Sequence, residues 1–257
     1  MSTLDRDLGK GHYAKKQIFS KDWLISWTHR TRFKIGLELA AQFAGKRVLD
    51  YGCGDGSFLR MMIDGGSAPS FGVGAELHTD LVNDCRTRFE GQPGLSFVLN
   101  DELDLPCHQG LYDGVICMEV LEHVVDVDAV LDRFVRLLAP EGRLLFSVPV
   151  ETGLPLLVKQ SVRRIAGWRG IGDYPGMTPY TLRELCASVL ANGKRQHIVR
   201  PIHRNAVGGS SHDHKGFNWM AFRETLGQRF ETERILSSPL RWLPPHLASQ
   251  VWFLLRQ

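Results

Sequence analysis

Cysteine is scarce and scattered in this 257-residue chain. Cys53, Cys85, Cys107, Cys117 and Cys186 make an odd number, and none forms a C-x-x-C pair. A disulfide framework and a cysteine zinc site are both excluded on that pattern, and a reducing compartment is the natural setting. Long apolar runs are missing too: none approaches the roughly 18 residues of a membrane span. The opening "MSTLDRDLGK" places charges where a secretory signal needs an apolar region. The expectation is a soluble, cytoplasmic protein, with peripheral contact at the inner membrane face left open. A strong charge bias is also lacking. Lys and Arg number 31 against 28 Asp and Glu, a net charge of +3, so charge balance alone gives no reason to invoke nucleic acid. Internal repeats and low-complexity tracts are absent. What remains is a chain with 43% hydrophobic and 23% charged residues, suited to one large domain or a core domain with an insertion.

The pattern along the chain divides it into four segments. Residues 1–44 form a helical cap, with Trp23, Leu24 and Trp27 at helical spacing among basic residues. From 45 to 150, short apolar runs alternate with helical stretches: "RVLDYG", "SFGVGAE", "LSFVLN", "YDGVICME" and "GRLLFSVP" are the strands. Such alternation implies parallel βαβ units with right-handed crossovers and a sheet covered on both faces. The rhythm breaks over 151–215, which reads as an insertion with a basic amphipathic stretch, a helix at Pro179–Leu190 and a loop rich in Gly, Ser and His. A helix near Trp219–Leu226 and the strands "FETERIL" and "QVWFLLR" then close the sheet as a hairpin over 216–257. The fold class is α/β: a Rossmann-like, doubly wound, mostly parallel sheet with an antiparallel C-terminal hairpin.

The stretch "VLDYGCGDGSF", Val48–Phe58, places three glycines in five residues behind an apolar strand. So much glycine is tolerated where backbone must turn tightly or approach a ligand closely. In an open parallel sheet, ligands sit beyond the carboxyl ends of the strands, beside the first one. Gly52 and Gly54, flanking Cys53, are expected to pass close to a ligand, and Gly56 to let the next helix pack tightly. Glu76 ends the second strand at about the 20-residue offset where a carboxylate takes a ribose diol; the plainer reading is a strand-end acid. The loop is G-x-G-x-G, not the G-x-G-x-x-G of dinucleotide sites. Asp50 precedes it and Asp55 lies inside it. Carboxylates repel a pyrophosphate at close range and suit a cation. S-adenosylmethionine carries a sulfonium and an ammonium and has no phosphate, so the loop's acidity points to it.

These residues resemble the class I S-adenosylmethionine-dependent methyltransferases, over about residues 45–150 and the terminal hairpin. "VLDYGCGDGSF" is similar to their first motif, "NDELDLP" to their third, "YDGVICMEVLEHV" to their fourth, and "LLAPEGRLLFSVP" to the turn and strand that follow. Within the class, "CMEVLEHV" looks most like the methyltransferase type 11 group and the ubiquinone-biosynthesis O-methyltransferases. The resemblance implies a cofactor site of Asp50, Gly52, Cys53, Gly54, Gly56, Glu76, Leu77, Asp101, Glu102, Met118 and Glu119, with Asp101 at the adenine amino group. The function implied is O-methylation of a small, lipid-linked or glycan-linked acceptor. The alternatives are an RNA 2′-O-methyltransferase and a cofactor-binding protein without turnover.

Methyl transfer to a hydroxyl needs the acceptor's proton removed, by a base or by a metal that lowers its pKa. "EVLEHV" supplies Glu119, Glu122 and His123, with the two glutamates spaced to share a helical face. Three readings stay open: Glu122 and His123 hold the loop, His123 acts as base beside Glu122, or Glu119, Glu122 and His123 ligate a divalent metal. In the resembling families similar Glu-x-x-Glu-His clusters are associated with such a metal, and His212 or His214 would complete it if the insertion folds back. The base reading, without metal, predicts a turnover insensitive to chelator.

In the insertion, "GLPLLVKQSVRRIAGWRG" aligns Leu154, Leu157, Val158, Val162 and Ile165 on one helical face. Lys159, Arg163, Arg164 and Arg169 are interspersed. Two readings compete: an interfacial helix in weak contact with anionic lipid through 153–170, and a lid packing its apolar face on the enzyme. Arg163, Arg164, Trp168 and Arg169 together would suit a nucleic-acid groove, against which the low net charge argues.

Overall fold

The computed structural model describes Gly11, Trp23–Trp168, 178–191, 193, 196–204 and 209–257. Nine strands run in chain order among these residues. They are β1 Arg47–Tyr51, β2 Phe71–Glu76, β3 Leu95–Leu99, β4 Tyr112–Met118, β5 Leu138–Pro149, β6 Ile202–Arg204, β7 Ser210–His212, β8 Glu231–Ser238 and β9 Gln250–Arg256. The helices are α1 Trp23–Ala40, α2 Ser57–Asp64, α3 Thr79–Arg88, α4 Val127–Leu137, α5 Gly153–Trp168, α6 Leu182–Val189 and α7 Trp219–Gly227. Seven strands form one sheet in the order β3-β2-β1-β4-β5-β9-β8, and β6 pairs with β7 separately. The sheet is mostly parallel with an antiparallel C-terminal hairpin, and the fold is Rossmann-like.

The parallel strands read as nearly unbroken apolar runs because helices cover both faces. β1 sits between β2 and β4 in parallel register, Leu49 pairing with Val73 on one side and Val115 on the other. All three side chains are fully buried. α4 buries Leu131, Phe134 and Leu137 at helical spacing, and the Phe134 ring meets Tyr51 edge-on at 5.0 Å between centroids. α4 stops at Leu137, and β5 begins in the "LAPEG" segment that the pattern assigns to a turn, with Glu141 at φ 62°.

Two compact units emerge. One holds the described residues of Met1–Met118, Asp132–Phe146 and Leu254–Gln257; the other holds those of Glu119–Leu131 and Ser147–Phe253. No helix among the described residues is long and apolar enough to cross a membrane. The expected cap is helical from Trp23; residues 12–22 and the Trp23 and Leu24 side chains lie outside the described set.

α5 is a helix, as its pattern predicts. Leu154, Leu157, Val158 and Val162 are exposed, not packed as a lid would be, while Leu156 is buried. Lys159 and Arg163 turn toward Glu151, which is only 1% exposed. Lys159 Nζ lies 3.0 Å and Arg163 Nη2 3.2 Å from Glu151 Oε1. Burial pushes the Glu151 carboxyl up, yet the two cations prevail and hold it below its ordinary value. A buried carboxylate must be paired, and that demand draws both basic side chains onto Glu151. The side chains of Arg164, Ile165 and Trp168, and Arg169 as a whole, lie outside the described residues.

Candidate active site

The loop after β1 is built as its glycines require. Gly52, Gly54 and Gly56 have φ of 74°, 56° and 71°, a left-handed backbone that only glycine adopts without strain. A Cβ on Gly54 would meet nothing within 4 Å, so this residue faces open space; one on Gly56 would lie 2.8 Å from the Phe89 ring. The first position therefore suits close approach by a ligand and the second close packing. Cys53 Sγ and Cys85 Sγ both point at the Gly54 carbonyl, at 3.9 and 3.5 Å. Glu76 accepts from Gly54 N at 3.0 Å through one oxygen and from Leu77 N at 2.7 Å through the other. The strand-end acid thus reaches across to the glycine loop. Asp55 accepts from Ser57 N at 3.2 Å, at the start of α2.

Asp50 is the least comfortable of the three acids. It is 2% exposed, and its Oδ2 is buried without a hydrogen-bond partner. Burial, with Glu76 and Asp55 nearby, pushes its carboxyl up to about 7. A buried, unsatisfied acid among acids fits a ligand that arrives with positive charge, and S-adenosylmethionine meets that condition. The sign follows directly. Below pH 7 Asp50 holds a proton and offers a cation little; above it the carboxylate is charged and attracts one. S-adenosylmethionine affinity should therefore rise from pH 6 to 8 by up to about tenfold. In calorimetry Asp50→Asn should remove that increment, and identical pH profiles for the two proteins would contradict it.

The other residues of the sequence-derived cofactor set are placed unevenly. Leu77 is exposed and Met118 half-buried at the end of β4. Asp101 and Glu102 lie in a short 3-10 stretch, Asn100–Asp104. Asp101 is exposed. Glu102 accepts from Leu99 N at 2.6 Å and pairs with Arg86 at 3.4 Å, which gives it a structural task at the end of β3.

The segment after β4 departs from its expected shape. Glu119 and Glu122 do not share an α-helical face, because Glu119 has φ 56° and Leu121–His123 is one turn of 3-10 helix. Glu119 Oε1 accepts from Ser147 Oγ at 3.2 Å. Glu122 is fully buried. His123 Nε2 lies 3.8 Å and His214 Nδ1 4.0 Å from Glu122 Oε1. The donor atoms of Glu122, His123 and His214 all fall within 4.8 Å of one another. The two imidazoles meet edge to face at 4.6 Å between centroids.

Each ring is held in a defined state. His123 Nδ1 lies 2.8 Å from the His212 carbonyl; since a carbonyl only accepts, Nδ1 is the donor of this bond and Nε2 faces Glu122. Burial lowers the His214 pKa to about 4, so this ring is neutral at physiological pH. Its Nδ1 is buried without a hydrogen-bond partner. Of the two histidines proposed from the insertion, His214 joins the cluster. His212 contributes its carbonyl, while its own Nδ1 lies 2.7 Å from the Pro201 carbonyl. The β6–β7 hairpin, within a segment expected to be loop, and the bridge between Val124 and Ser211 hold this arrangement. Arg200 and Glu151 were not legible as site residues, since neither belongs to a local motif.

Residues 25–193, more than half of the chain, match the family described as Methyltransferase domain. A ubiquinone biosynthesis O-methyltransferase of Psychrobacter arcticus is 31% identical over 193 residues, covering 71% of this chain and 70% of that protein. A protein of the same name from Pectobacterium carotovorum is 35% identical over 111 residues, 40% of this chain and 43% of its own. The chain thus spans less than half the length of this second relative. A solved S-adenosylmethionine-dependent methyltransferase from Mesorhizobium loti shares the fold, with a TM-score of 0.52 at 15% identity, over 87% of this chain and 96% of that one. By its match across most of its length and by its strand order, this chain belongs to the methyltransferase-domain family, with the class I fold for which S-adenosylmethionine is the cofactor.

Proposed function

We propose that the chain transfers a methyl group from S-adenosylmethionine to a hydroxyl oxygen of a small, lipid-linked or glycan-linked acceptor. The observation that carries this reading is the Glu122–His123–His214 constellation, because a hydroxyl acceptor must lose its proton and these groups are placed to take it. The names of the ubiquinone-biosynthesis relatives agree with an oxygen acceptor. In this reading Asp50, Glu76 and the glycine loop hold the cofactor, and 151–215 contributes the acceptor side. The acceptor oxygen attacks the methyl carbon in line as the carbon–sulfur bond breaks, its electron pair passing to sulfur. His123 Nε2 takes the hydroxyl proton, and the Glu122 carboxylate stabilises the resulting imidazolium.

The same donors fit a divalent cation: two neutral imidazole nitrogens, one carboxylate, and a ring fixed from behind by a carbonyl. When bound there by Glu122, His123 and His214, such an ion would lower the pKa of the acceptor hydroxyl. A mostly apolar cavity of about 630 Å³, lined by Leu154, Val189, Trp219, Met220, Leu247 and His246 among others, supports an acceptor with an apolar body. Membrane contact, if α5 makes it, would rest on Leu154, Leu157, Val158 and Val162, since Lys159 and Arg163 are engaged by Glu151. That engagement also weakens the nucleic-acid alternative.

The test is to supply methyl-labelled cofactor and an extract of apolar metabolites, then locate the label by mass spectrometry. Methyl ethers are expected, with turnover insensitive to chelator. Label on nitrogen or carbon would overturn the oxygen assignment. Turnover that falls on chelation and returns with a divalent ion would assign proton removal to a metal on Glu122, His123 and His214 in place of the His123 base.

A further inference from the structure

The two imidazoles of the cluster come from segments about ninety residues apart, and one side chain reaches the backbone of both segments. Arg200 precedes β6 and sits over the Phe217 ring, its guanidinium carbon 5.2 Å from the centroid. Its Nη2 donates to the Glu122 carbonyl and, at 2.8 Å, to the Asp213 carbonyl. Those carbonyls belong to the peptide groups that lead directly into His123 and His214. We infer that Arg200 is a positioning residue for the proposed proton-removing cluster: one guanidinium nitrogen staples the backbone of His123 to that of His214 and fixes the spacing of their rings. This rests on the function proposed above.

The surroundings make the staple specific. Asp213 is held from three sides, accepting from Thr178 N at 2.8 Å and Lys215 N at 2.9 Å, with His203 Nε2 at 3.4 Å. The peptide that Arg200 grips on the His214 side is therefore itself anchored. On the His123 side the ring is fixed by the His212 carbonyl, so the peptide, the ring and the staple form one closed frame. Arg200 touches neither imidazole, and its effect on chemistry passes through them. Charge-assisted hydrogen bonds to two carbonyls are geometrically demanding, and misplacing a reacting group by about 1 Å costs on the order of a hundredfold in rate.

The test compares Arg200→Ala and Arg200→Lys with the unmodified enzyme by acceptor kcat, acceptor KM, cofactor Kd and imidazole nitrogen NMR. Arg200→Ala should lower kcat about a hundredfold with cofactor Kd essentially unchanged. Its His123 signals should lose the single Nδ1–H tautomer. Arg200→Lys, whose ammonium can still donate to both carbonyls, should recover about tenfold of that loss. If the alanine variant fails to fold, the lysine variant carries the test, with lowered kcat and unchanged cofactor Kd expected. A folded variant with the original kcat and the original imidazole spectrum would overturn the inference. If the unmodified enzyme methylates no hydroxyl at all, the proposed function fails. The imidazole spectra would still report whether Arg200 fixes the pair.

Discussion

His214→Ala should abolish turnover, by a factor on the order of a thousand, while S-adenosylmethionine affinity stays within about twofold. The expectation follows from where this ring sits. It stands with Glu122 and His123 in the compact unit that contains residues 147–253, whereas the glycine loop and Glu76 belong to the other unit. Its Nδ1 lies 4.0 Å from Glu122 Oε1, and burial keeps it neutral, so it offers a lone pair to the proton removal proposed above. Losing it opens a gap beside a buried carboxylate and removes one of three donor atoms. His212→Ala is the informative control. Its ring contributes nothing to the cluster and its carbonyl survives the substitution, so kcat should fall by less than about tenfold. Rapid-quench assays with labelled cofactor measure both variants. Equal losses in the two would mean that the segment, not the His214 ring, matters.

Glu76→Ala should weaken cofactor binding by about a hundredfold to ten-thousandfold. Two hydrogen bonds from ribose hydroxyls to an ionised acceptor are worth roughly 1.5–3 kcal/mol each, and each 1.4 kcal/mol is about a factor of ten. The carboxylate already receives the Gly54 and Leu77 amides, so its removal also loosens the loop that Gly54 belongs to. Glu76→Gln keeps one acceptor oxygen and should fall between the two. Calorimetry with the cofactor and with its demethylated product reads this directly. An affinity within about threefold of the original would show that the ribose is held by other groups.

Much of the cofactor half could be read from sequence because its constraints are local. A parallel strand buried on both faces is an apolar run, as in "VLDY" and "GVIC", and a loop that needs three left-handed residues displays three glycines. The acidity of Asp50, Asp55 and Glu76 could likewise be read as a statement about ligand charge. The surroundings of His123 resisted because their constraints are distant. His214 becomes a partner of His123 only through the β6–β7 hairpin, whose short strands carry no apolar alternation. The stripe of Leu154, Leu157, Val158 and Val162 leaves an interfacial helix and a lid both open, and nothing in it announces that the buried Glu151 carboxylate draws Lys159 and Arg163 to itself. Glu119 breaks the expected helical face through a backbone angle that no side-chain pattern announces. Arg200 acts on backbone carbonyls, and a contact with a carbonyl leaves no trace in the identity of the residue that owns it.

We propose that the acidic glycine loop selects a cationic one-carbon donor over a dinucleotide. Calorimetric titration of the protein with S-adenosylmethionine and with NAD tests it most directly. The arrangement of Asp50, Asp55 and Glu76 predicts affinity on the order of micromolar for S-adenosylmethionine and at least about a hundredfold weaker binding of NAD. Comparable affinity for the two ligands would contradict it.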